Sequence, residues 1–167
     1  MNIHVKTLLT LSVLGVLLLL GVTWGFSAMT EPFPQTTASK PCNPTPYQRG
    51  QRVSPPLVMV NVYNASERVG LAERTMSEFE DQGFGPGAVA NAPKGTKVFY
   101  AQVWAKNPAR PDVKLVASRL GKNIRVVKRV GGADGVVVVV GAKFEKLVRG
   151  RPSVRVTGDV TLCSPPT

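Results

Sequence analysis

The run Leu57-Val-Met-Val-Asn-Val62, which leads into Tyr63-Asn64-Ala65-Ser66, decides the fold of this chain. A short apolar, β-branched run that follows two prolines and ends in a turn is typical of a strand. A helix is predicted next, because apolar residues recur at spacings of three and four and Gly83 supplies a C-terminal stop. Its predicted buried face consists of Val69, Ala72, Met76 and Phe79. Asn64 or Ser66 is predicted to be the N-cap, which explains Asn64-Ala65-Ser66 without glycosylation.

A second strand–helix pair is predicted after Gly83. A short Ala88–Ala90 segment and a strand over Lys97–Ala105 are expected to be joined by a turn. Pro108 and Pro111 then open an amphipathic helix, and Gly121 ends it.

The C-terminal part is predicted to be β-structure. Strands are expected over Ile124–Val130 and Gly135–Gly141, and the uninterrupted valines of Val136–Val140 predict a central strand that is buried on both faces. Residues 154–156 and 160–162 are expected to add a final hairpin or sheet edge. The order predicts an α+β fold, a two-layer split β-α-β arrangement with two helices on one face of a mixed sheet, preceded by one transmembrane helix.

The transmembrane prediction rests on a long uncharged stretch near the N-terminus. No residue from Thr7 to Met29 is charged, and these residues span about 30 Å as a helix, the thickness of the hydrocarbon core. Lys6 precedes the stretch and Glu31 follows it, so the positive-inside rule places the N-terminus in the cytoplasm. The alternative is a cleaved signal peptide with Gly25 and Ser27 at its cleavage site, although the apolar run exceeds the usual core of such peptides.

Four parts of the chain follow from this topology. They are a cytoplasmic stub over 1–6, the transmembrane helix over 7–29, a Pro-rich extracytoplasmic tether over 30–56 and a folded domain over 57–167. Seven of the 14 prolines lie in the tether, which excludes a helix or a central strand there. The protein is expected to be a single-pass type II protein of the cytoplasmic membrane, with its domain in the periplasm or cell-wall space.

The two cysteines, Cys42 and Cys163, are predicted to form a disulfide, because both belong to the exported part of the chain, where disulfides persist. The alternative is two free or intermolecular thiols. A bridge would leave only residues 30–41 as a free tether, which spans at most about 37 Å in polyproline geometry.

Catalytic and metal chemistry are not expected in the exported part. The only histidine, His4, lies on the predicted cytoplasmic side, so no imidazole is available outside. Glu73, Glu78 and Glu80 are spread over different faces of one helix, whereas an acid–base pair needs two converging groups. No catalytic residue, metal ligand or cofactor is predicted.

The positive charge lies in the C-terminal half. The whole chain carries a net charge of +11, and residues 94–167 carry as much by themselves. Outside a cytoplasmic membrane the polyanions are lipid head groups, wall phosphates and peptidoglycan carboxylates, so nucleic acid is not an expected partner. The alternative is a solvated basic face without a ligand. The candidate patch for anionic ligands consists of Lys122, Arg125, Lys128, Arg129, Lys143, Lys146, Arg149, Arg151 and Arg155.

A candidate glycan-binding face is predicted on the strand that ends at Ala105. Tyr100, Gln102 and Trp104 alternate onto one side of it, and aromatic planes with amide and cationic neighbours suit sugar rings. The alternative is that this face packs under a helix.

Two motifs of the domain resemble the LytR C-terminal domain family. The first runs from Val60 to Phe84, where a Val-x-Val-x-Asn-Ala-Ser turn leads into a Gly-Leu-Ala helix and a Gly-Phe stop. The second is Val137–Phe144, which is similar to the closing strand of that family, although Ala142-Lys143 replaces its acidic turn. The positions that carry the first motif are Asn61, Asn64, Ser66, Gly70, Leu71, Ala72, Gly83 and Phe84.

The resemblance implies a role in the cell envelope without catalysis. That family includes stand-alone, membrane-anchored proteins of actinobacterial envelopes, among them envelope-integrity and vesicle-regulating proteins, and this chain has the same short layout. We therefore expect a protein that supports envelope integrity and cell-wall maintenance through protein–protein interaction. The alternative is a binding module for peptidoglycan or another wall polymer. The expected partners are the membrane and either envelope proteins or a wall polymer.

Overall fold

Residues 11–22 and 42–166 are described by the computed structural model. They belong to two compact units, and the first unit ends along the chain at Gln35. Residues 11–22 are helical. Within the described ranges, no helix combines the length and the apolar character that crossing a membrane requires. The predicted span over 7–29 lies partly outside these ranges and the predicted stub over 1–6 lies wholly outside them, so both stay predictions.

The second unit is built on a mixed five-stranded sheet. Its order is β4-β3-β7-β5-β6, with β3 parallel to β4 and β7, and with β5 antiparallel to β7 and parallel to β6. Helix α1 connects β3 to β4 and helix α2 connects β5 to β6, so two β-α-β units flank β7. The predicted α+β class with a mixed sheet is confirmed. The elements are β1 (Asn43–Tyr47), β2 (Arg52–Val53), a 3₁₀ turn (Pro55–Leu57), β3 (Met59–Asn64), α1 (Leu71–Asp81), β4 (Gly85–Asn91), β5 (Ala101–Ala105), α2 (Pro111–Ala117), β6 (Ile124–Lys128), β7 (Val136–Val140), β8 (Val154–Arg155) and β9 (Val160–Ser164).

Strand β7 lies at the centre of the sheet, as its valines predict, and all five of them are buried. Side chains alternate between the faces of a strand, so Val136, Val138 and Val140 join the main core with both helices. Val137 and Val139 pack on the other face with Val98 and Trp104. Both helices therefore cover one face of the sheet, and loop residues cover part of the other.

Helix α1 begins later than the sequence predicts. Its N-cap is Gly70, in the left-handed conformation with φ 72°, and no side chain caps it. Val69 lies before the helix and is fully exposed, so the prediction that it belongs to the buried face is wrong. The prediction that Asn64 or Ser66 is the N-cap is also wrong, because the polar turn continues to Gly70 before the helix starts.

The strands predicted at Ala88–Ala90 and Lys97–Ala105 are not neighbours. Strand β4 lies at one edge beside β3, whereas β5 lies on the far side of β7. A helix crossover joins parallel strands, so β4 pairs with β3 across α1 and β5 pairs with β6 across α2, and β4 and β5 do not pair with each other. Strand β5 also begins only at Ala101, which leaves residues 96–100 as an irregular turn.

Residues 43–57 belong to the folded domain, which corrects the predicted tether over 30–56 and the domain boundary at Leu57. Strand β1 pairs with β9, and β2 pairs with β8, both antiparallel. Pro44 and Pro46 fit in β1 because a ribbon edge does not need every backbone N–H. The two C-terminal strands therefore pair with the start of the domain, so residues 154–156 and 160–162 form neither the predicted hairpin nor an edge of the five-stranded sheet.

The predicted disulfide between Cys42 and Cys163 is present, with Cα atoms 5.2 Å apart and a sequence separation of 121 residues. Both cysteines lie at the same end of the β1–β9 ribbon, since Cys42 directly precedes β1 and Cys163 in β9 is opposite Pro44. The disulfide therefore fixes the point at which the chain enters the domain. Residues 30–41 lie outside the described ranges, and their role as a tether stays a prediction.

Candidate functional site

Asn61, the first polar residue of the sequence motif, is a structural residue. Its side chain is fully buried in β3, where Oδ1 accepts a hydrogen bond from the Ala88 N–H at 2.7 Å and Nδ2 donates to the Asp134 carbonyl. A Cβ atom at Gly87 or Gly135 would collide with Asn61 or with the β3 backbone. Asn61 therefore connects β4 and the loop before β7 to the strand between them.

The remaining polar motif residues shape the turn between β3 and α1. The Asn64 Oδ1 accepts hydrogen bonds from the Ser66 N–H at 2.9 Å and the Ser66 hydroxyl at 2.8 Å, and its Nδ2 donates to the Arg68 carbonyl at 2.7 Å. Side-chain bonds of this kind replace backbone bonds in tight turns.

The apolar motif residues build the core. Leu71, Ala72 and Phe84 are buried, and the Phe84 ring meets Phe79 edge to face with centroids 5.3 Å apart. Gly83 ends the helix with φ 83°. The family motif thus describes how the domain folds and does not by itself define a ligand site.

An irregular segment over residues 141–153, the strap, crosses the helix layer and carries four of the predicted basic-patch residues. Arg68 and Arg74 donate hydrogen bonds to carbonyls of the strap, at 2.6 Å to Phe144 and 2.7 Å to Glu145. The Glu78 Oε2 accepts from the Leu147 N–H at 2.7 Å. The residues before and in α1 therefore bind the strap backbone and leave its lysine and arginine side chains exposed.

Arg119 fastens the far part of the strap. It is buried, its Nη1 donates to Gln82 Oε1 at 2.7 Å and its Nη2 donates to the Arg151 carbonyl at 2.8 Å. The guanidinium also lies over the Phe84 ring, 5.6 Å from its centroid. No carboxylate is paired with it among the described residues, and burial lowers the pKa of Arg119.

Replacing Arg119 by methionine is expected to lower the free energy of unfolding by about 1 to 3 kcal/mol, because two charge-assisted hydrogen bonds are lost and the Arg151 carbonyl loses its donor. Chemical denaturation of the oxidised protein measures this. The matched control is Arg151→Met, since only the backbone of Arg151 makes these contacts, and its effect is expected to stay within about 0.5 kcal/mol. A stabilised Arg119→Met variant would show that desolvation of the guanidinium outweighs its hydrogen bonds.

The predicted basic patch is divided among several surfaces. Lys122, Lys143 and Lys146 line one groove, and Arg125 lines a second groove beside it. Lys128 and Arg129 lie at the other end of β6. Three further arginines lie away from these grooves: Arg149 and Arg151 on the strap, and Arg155 in β8, opposite Arg52. The structure therefore does not form a single surface from the nine cations.

The predicted glycan face is not assembled as one platform. Gln102 and Trp104 share one side of β5, where the Trp104 Nε1 donates to Gln102 Oε1 at 3.0 Å. Trp104 is only 3% exposed, and the Arg129 guanidinium lies 4.1 Å from the centroid of its ring. Tyr100 precedes the strand and lines the two grooves that contain the lysines. The alternative, in which this face is packed rather than open to a ligand, describes Trp104 better. Trp104 packs on the sheet face opposite the helices, however, and not under a helix.

A cavity of about 280 Å³ lies next to the disulfide and the buried Trp104. Two of the three cations that line it are already engaged, because Arg110 binds both oxygens of the buried Asp112, at 3.1 and 2.7 Å, and Arg129 covers Trp104. The third, Lys106, is exposed. Within residues 11–22 and 42–166 no group of three or more metal-ligating side chains comes together. The cavity consequently offers few free groups for a ligand.

The sequence predicted Tyr100 as a glycan-face residue but did not reveal that it lies with Phe99 in an exposed turn, Phe99-Tyr100, called the aromatic turn below. Phe99 is 63% exposed and Tyr100 is 41% exposed, with ring centroids 5.1 Å apart. The sequence placed both residues inside a strand, where one of them would point into the core. The late start of β5 at Ala101 is what exposes them together.

The fold and these surfaces define a small disulfide-closed α+β domain that has an exposed aromatic turn among cations. The family model described as LytR cell envelope-related transcriptional attenuator matches residues 57–144, just over half of the chain. The protein therefore belongs to the LytR C-terminal domain family, as its motifs predict, and this family is cell envelope-related.

A solved structure is also similar to this chain. It is the crystal structure of the soluble domain of a conserved hypothetical secreted protein from Mycobacterium marinum. The two share 22% sequence identity and a TM-score of 0.39, over 62% of this chain and 79% of that one. Comparison with curated proteins gives no match.

Proposed function

We propose that the protein is a non-catalytic cell-envelope protein that supports envelope integrity and cell-wall maintenance. Residues 7–29 anchor it in the cytoplasmic membrane, and the folded domain lies outside and contacts other envelope proteins. Membership of a cell envelope-related family supports the envelope role. The Glu78 carboxylate in α1 supports a role without catalysis. It binds the strap backbone and lies 3.8 Å from the Arg74 guanidinium, whereas an acid–base pair would need a second carboxyl group beside it.

The observation that carries the extracytoplasmic placement is the disulfide. Cys42 and Cys163 are the only cysteines of the chain and they are bonded to each other. Disulfides persist in oxidising compartments and are rare in the cytosol. The uncharged stretch from Thr7 to Met29 precedes the disulfide and supplies the means of export.

Two exposed valines, one before α1 and one on the strap, are available to a protein partner. Val69 is fully exposed before α1, and Val148 is 42% exposed on the strap. The Val148 N–H donates to the Arg119 carbonyl at 2.8 Å, so the strap presents Val148 in a fixed position. Apolar residues on a rigid surface with charged neighbours are suited to protein contacts.

Alkaline phosphatase, which is active only after export, is expected to be active when fused after Thr167, whereas a fusion at the N-terminus is expected to be inactive. The intact mass of the membrane-bound protein is expected to include residues 7–29. An active cytoplasmic reporter after Thr167 would contradict the proposed topology. An intact mass that corresponds to a chain beginning after Ser27 would show that the stretch is a cleaved signal peptide instead.

Protein contacts are tested by a photo-crosslinking residue placed at Val69 or Val148 in the full chain. Specific adducts with envelope proteins are expected at these positions and not at Arg52, which lies on the separate β2–β8 ribbon. Equal adducts at all three positions would indicate unspecific proximity.

A second candidate function is the binding of a wall polymer, which the aromatic turn favours. Exposed aromatic residues with cationic neighbours suit sugar rings that carry negative charges.

A further inference from the structure

The aromatic turn is the most exposed aromatic surface of the domain. With exposed fractions of 63% and 41%, Phe99 and Tyr100 present adjoining apolar area to solvent. Their neighbour Val98 is buried on the sheet face with Trp104, so the turn itself is part of the packed structure. Adjoining exposed rings on a packed domain are suited to stacking against a ligand.

Backbone contacts hold the aromatic turn in place. The Gly141 N–H donates to the Tyr100 carbonyl at 2.7 Å, and the Lys143 N–H donates to the Phe99 carbonyl at 2.9 Å. Gly141 has no room for a Cβ atom beside the Val98 carbonyl. The backbone that carries the two rings is therefore fixed before a ligand arrives, which lowers the entropic cost of binding.

Cations surround the aromatic turn on both sides. A groove of about 370 Å³ contains Lys97 and Arg125, and a groove of about 310 Å³ contains Lys122, Lys143 and Lys146. Tyr100 borders both grooves. The lining of the two grooves includes a single acidic residue, Glu145. The two ion pairs of the described residues lie elsewhere, so these five cations attract an external anion.

We propose that this surface binds an acidic glycan polymer of the cell wall, with sugar rings on Phe99 and Tyr100 and carboxylates at the flanking lysines. The inference rests on the second candidate function above and names its site and ligand class. An elongated polymer fits the arrangement because it can cross Tyr100 and occupy both grooves, each of which has the volume of a small ligand pocket. A flat bilayer would leave the grooves unfilled.

The position of the aromatic turn also favours a wall polymer. Phe99 and Tyr100 precede the first residue of β5, whereas the cavity beside the disulfide is lined by Ala105 at its end. The two ends of β5, at Ala101 and Ala105, are about 13 Å apart along the strand. The chain enters the domain at Cys42, so the aromatic turn lies at the end of the sheet away from the point of attachment.

Co-sedimentation of the full chain in detergent micelles with purified protein-free sacculi tests the proposal. Phe99→Ala together with Tyr100→Ala is expected to weaken retention by about tenfold, because the stacking surface is removed. Lys122→Gln with Lys143→Gln is expected to weaken it about fivefold and to reduce its salt dependence. The charge-matched control, Arg52→Gln with Arg155→Gln, removes two cations from the β2–β8 ribbon and is expected to stay within about twofold.

Chemically modified sacculi identify the ligand group. Amidation of the carboxylates is expected to abolish retention, whereas removal of phosphodiester-linked polymers with hydrofluoric acid is expected to leave it intact. Retention that survives amidation would overturn the ligand class. Equal losses in the lysine variant and the arginine control would overturn the site, because they would show unspecific attraction.

Two further outcomes would overturn the inference and separate it from the proposed function. Binding to anionic lipid vesicles that is lost in the aromatic variant, without binding to sacculi, would assign the surface to the membrane. Unbound sacculi together with specific crosslinks at Val69 would reject the wall polymer and leave the envelope role in place. The reporter fusions test that role independently, since a cytoplasmic domain would reject it whatever the sacculi bind.

Discussion

Replacing Cys42 and Cys163 together by serine is expected to lower the free energy of unfolding of the domain by about 4 to 5 kcal/mol. The disulfide closes a loop with a sequence separation of 121 residues, and in the chain-entropy model the loss of freedom in the unfolded chain grows with loop length. This is a large share of the stability of a domain of this size. Urea unfolding of the oxidised protein and of the double variant gives the difference.

Hydrogen exchange distinguishes a global effect from a local one. A change in the unfolded state lowers the protection of β3 and β7 as much as that of β1 and β9, because core amides exchange through global unfolding. Faster exchange confined to the β1–β9 ribbon would show that the disulfide only prevents local opening. The control is the wild-type protein treated with reductant, which is expected to behave like the double variant. A loss below about 1 kcal/mol would contradict the entropic account.

The centre of the fold was predictable from the sequence because its signals are local. Five consecutive valines at Val136–Val140 have no polar side to turn to solvent, so they fit only a strand that is buried on both faces. The spacing of Ala72, Met76 and Phe79 likewise specifies a helix face without any knowledge of its partner.

The errors arose where distant contacts decide the structure. The prolines of residues 43–47 exclude a central strand, but only the C-terminal residues that reach them determine that they form a ribbon with β9. The same holds for the candidate site, since Phe99 and Tyr100 are exposed because the turn at Gly141 binds their carbonyls. The error at Val69 is local instead: this residue matches the helix spacing, yet the hydrogen bonds of Asn64 and Ser66 to Arg68 extend the turn past it.

Replacing Asn61 by alanine is expected to destabilise the domain by about 2 to 5 kcal/mol, because it removes the partners of two backbone groups at once. The Ala88 N–H loses its acceptor and the Asp134 carbonyl loses its donor, both beside a fully buried position. The backbones of Gly87 and Gly135 approach Asn61 too closely for other side chains to take over these bonds. Thermal and urea unfolding of the oxidised variant measure the loss.

Thr75→Val is the matched control, because Thr75 is equally buried but its hydroxyl bonds only to the Leu71 carbonyl within α1. Its loss is expected to stay below about 1.5 kcal/mol, since that carbonyl keeps its helical hydrogen bond. Similar losses in the two variants would mean that burial of any polar group, rather than the bridge between β4 and the loop before β7, accounts for the effect.

Asn61→Asp separates the two hydrogen bonds of this bridge. An aspartate can still accept from the Ala88 N–H, but when ionised it opposes the Asp134 carbonyl, so burial and repulsion raise its pKa in the folded state above the unfolded value. The variant is therefore expected to lose stability as the pH rises from the unfolded pKa through the folded one, and to regain it in acid, where the protonated carboxyl can donate to the carbonyl. A pH-independent difference from the wild type would mean that the donor side of Asn61 contributes little and that the acceptor side alone holds β4 against β3.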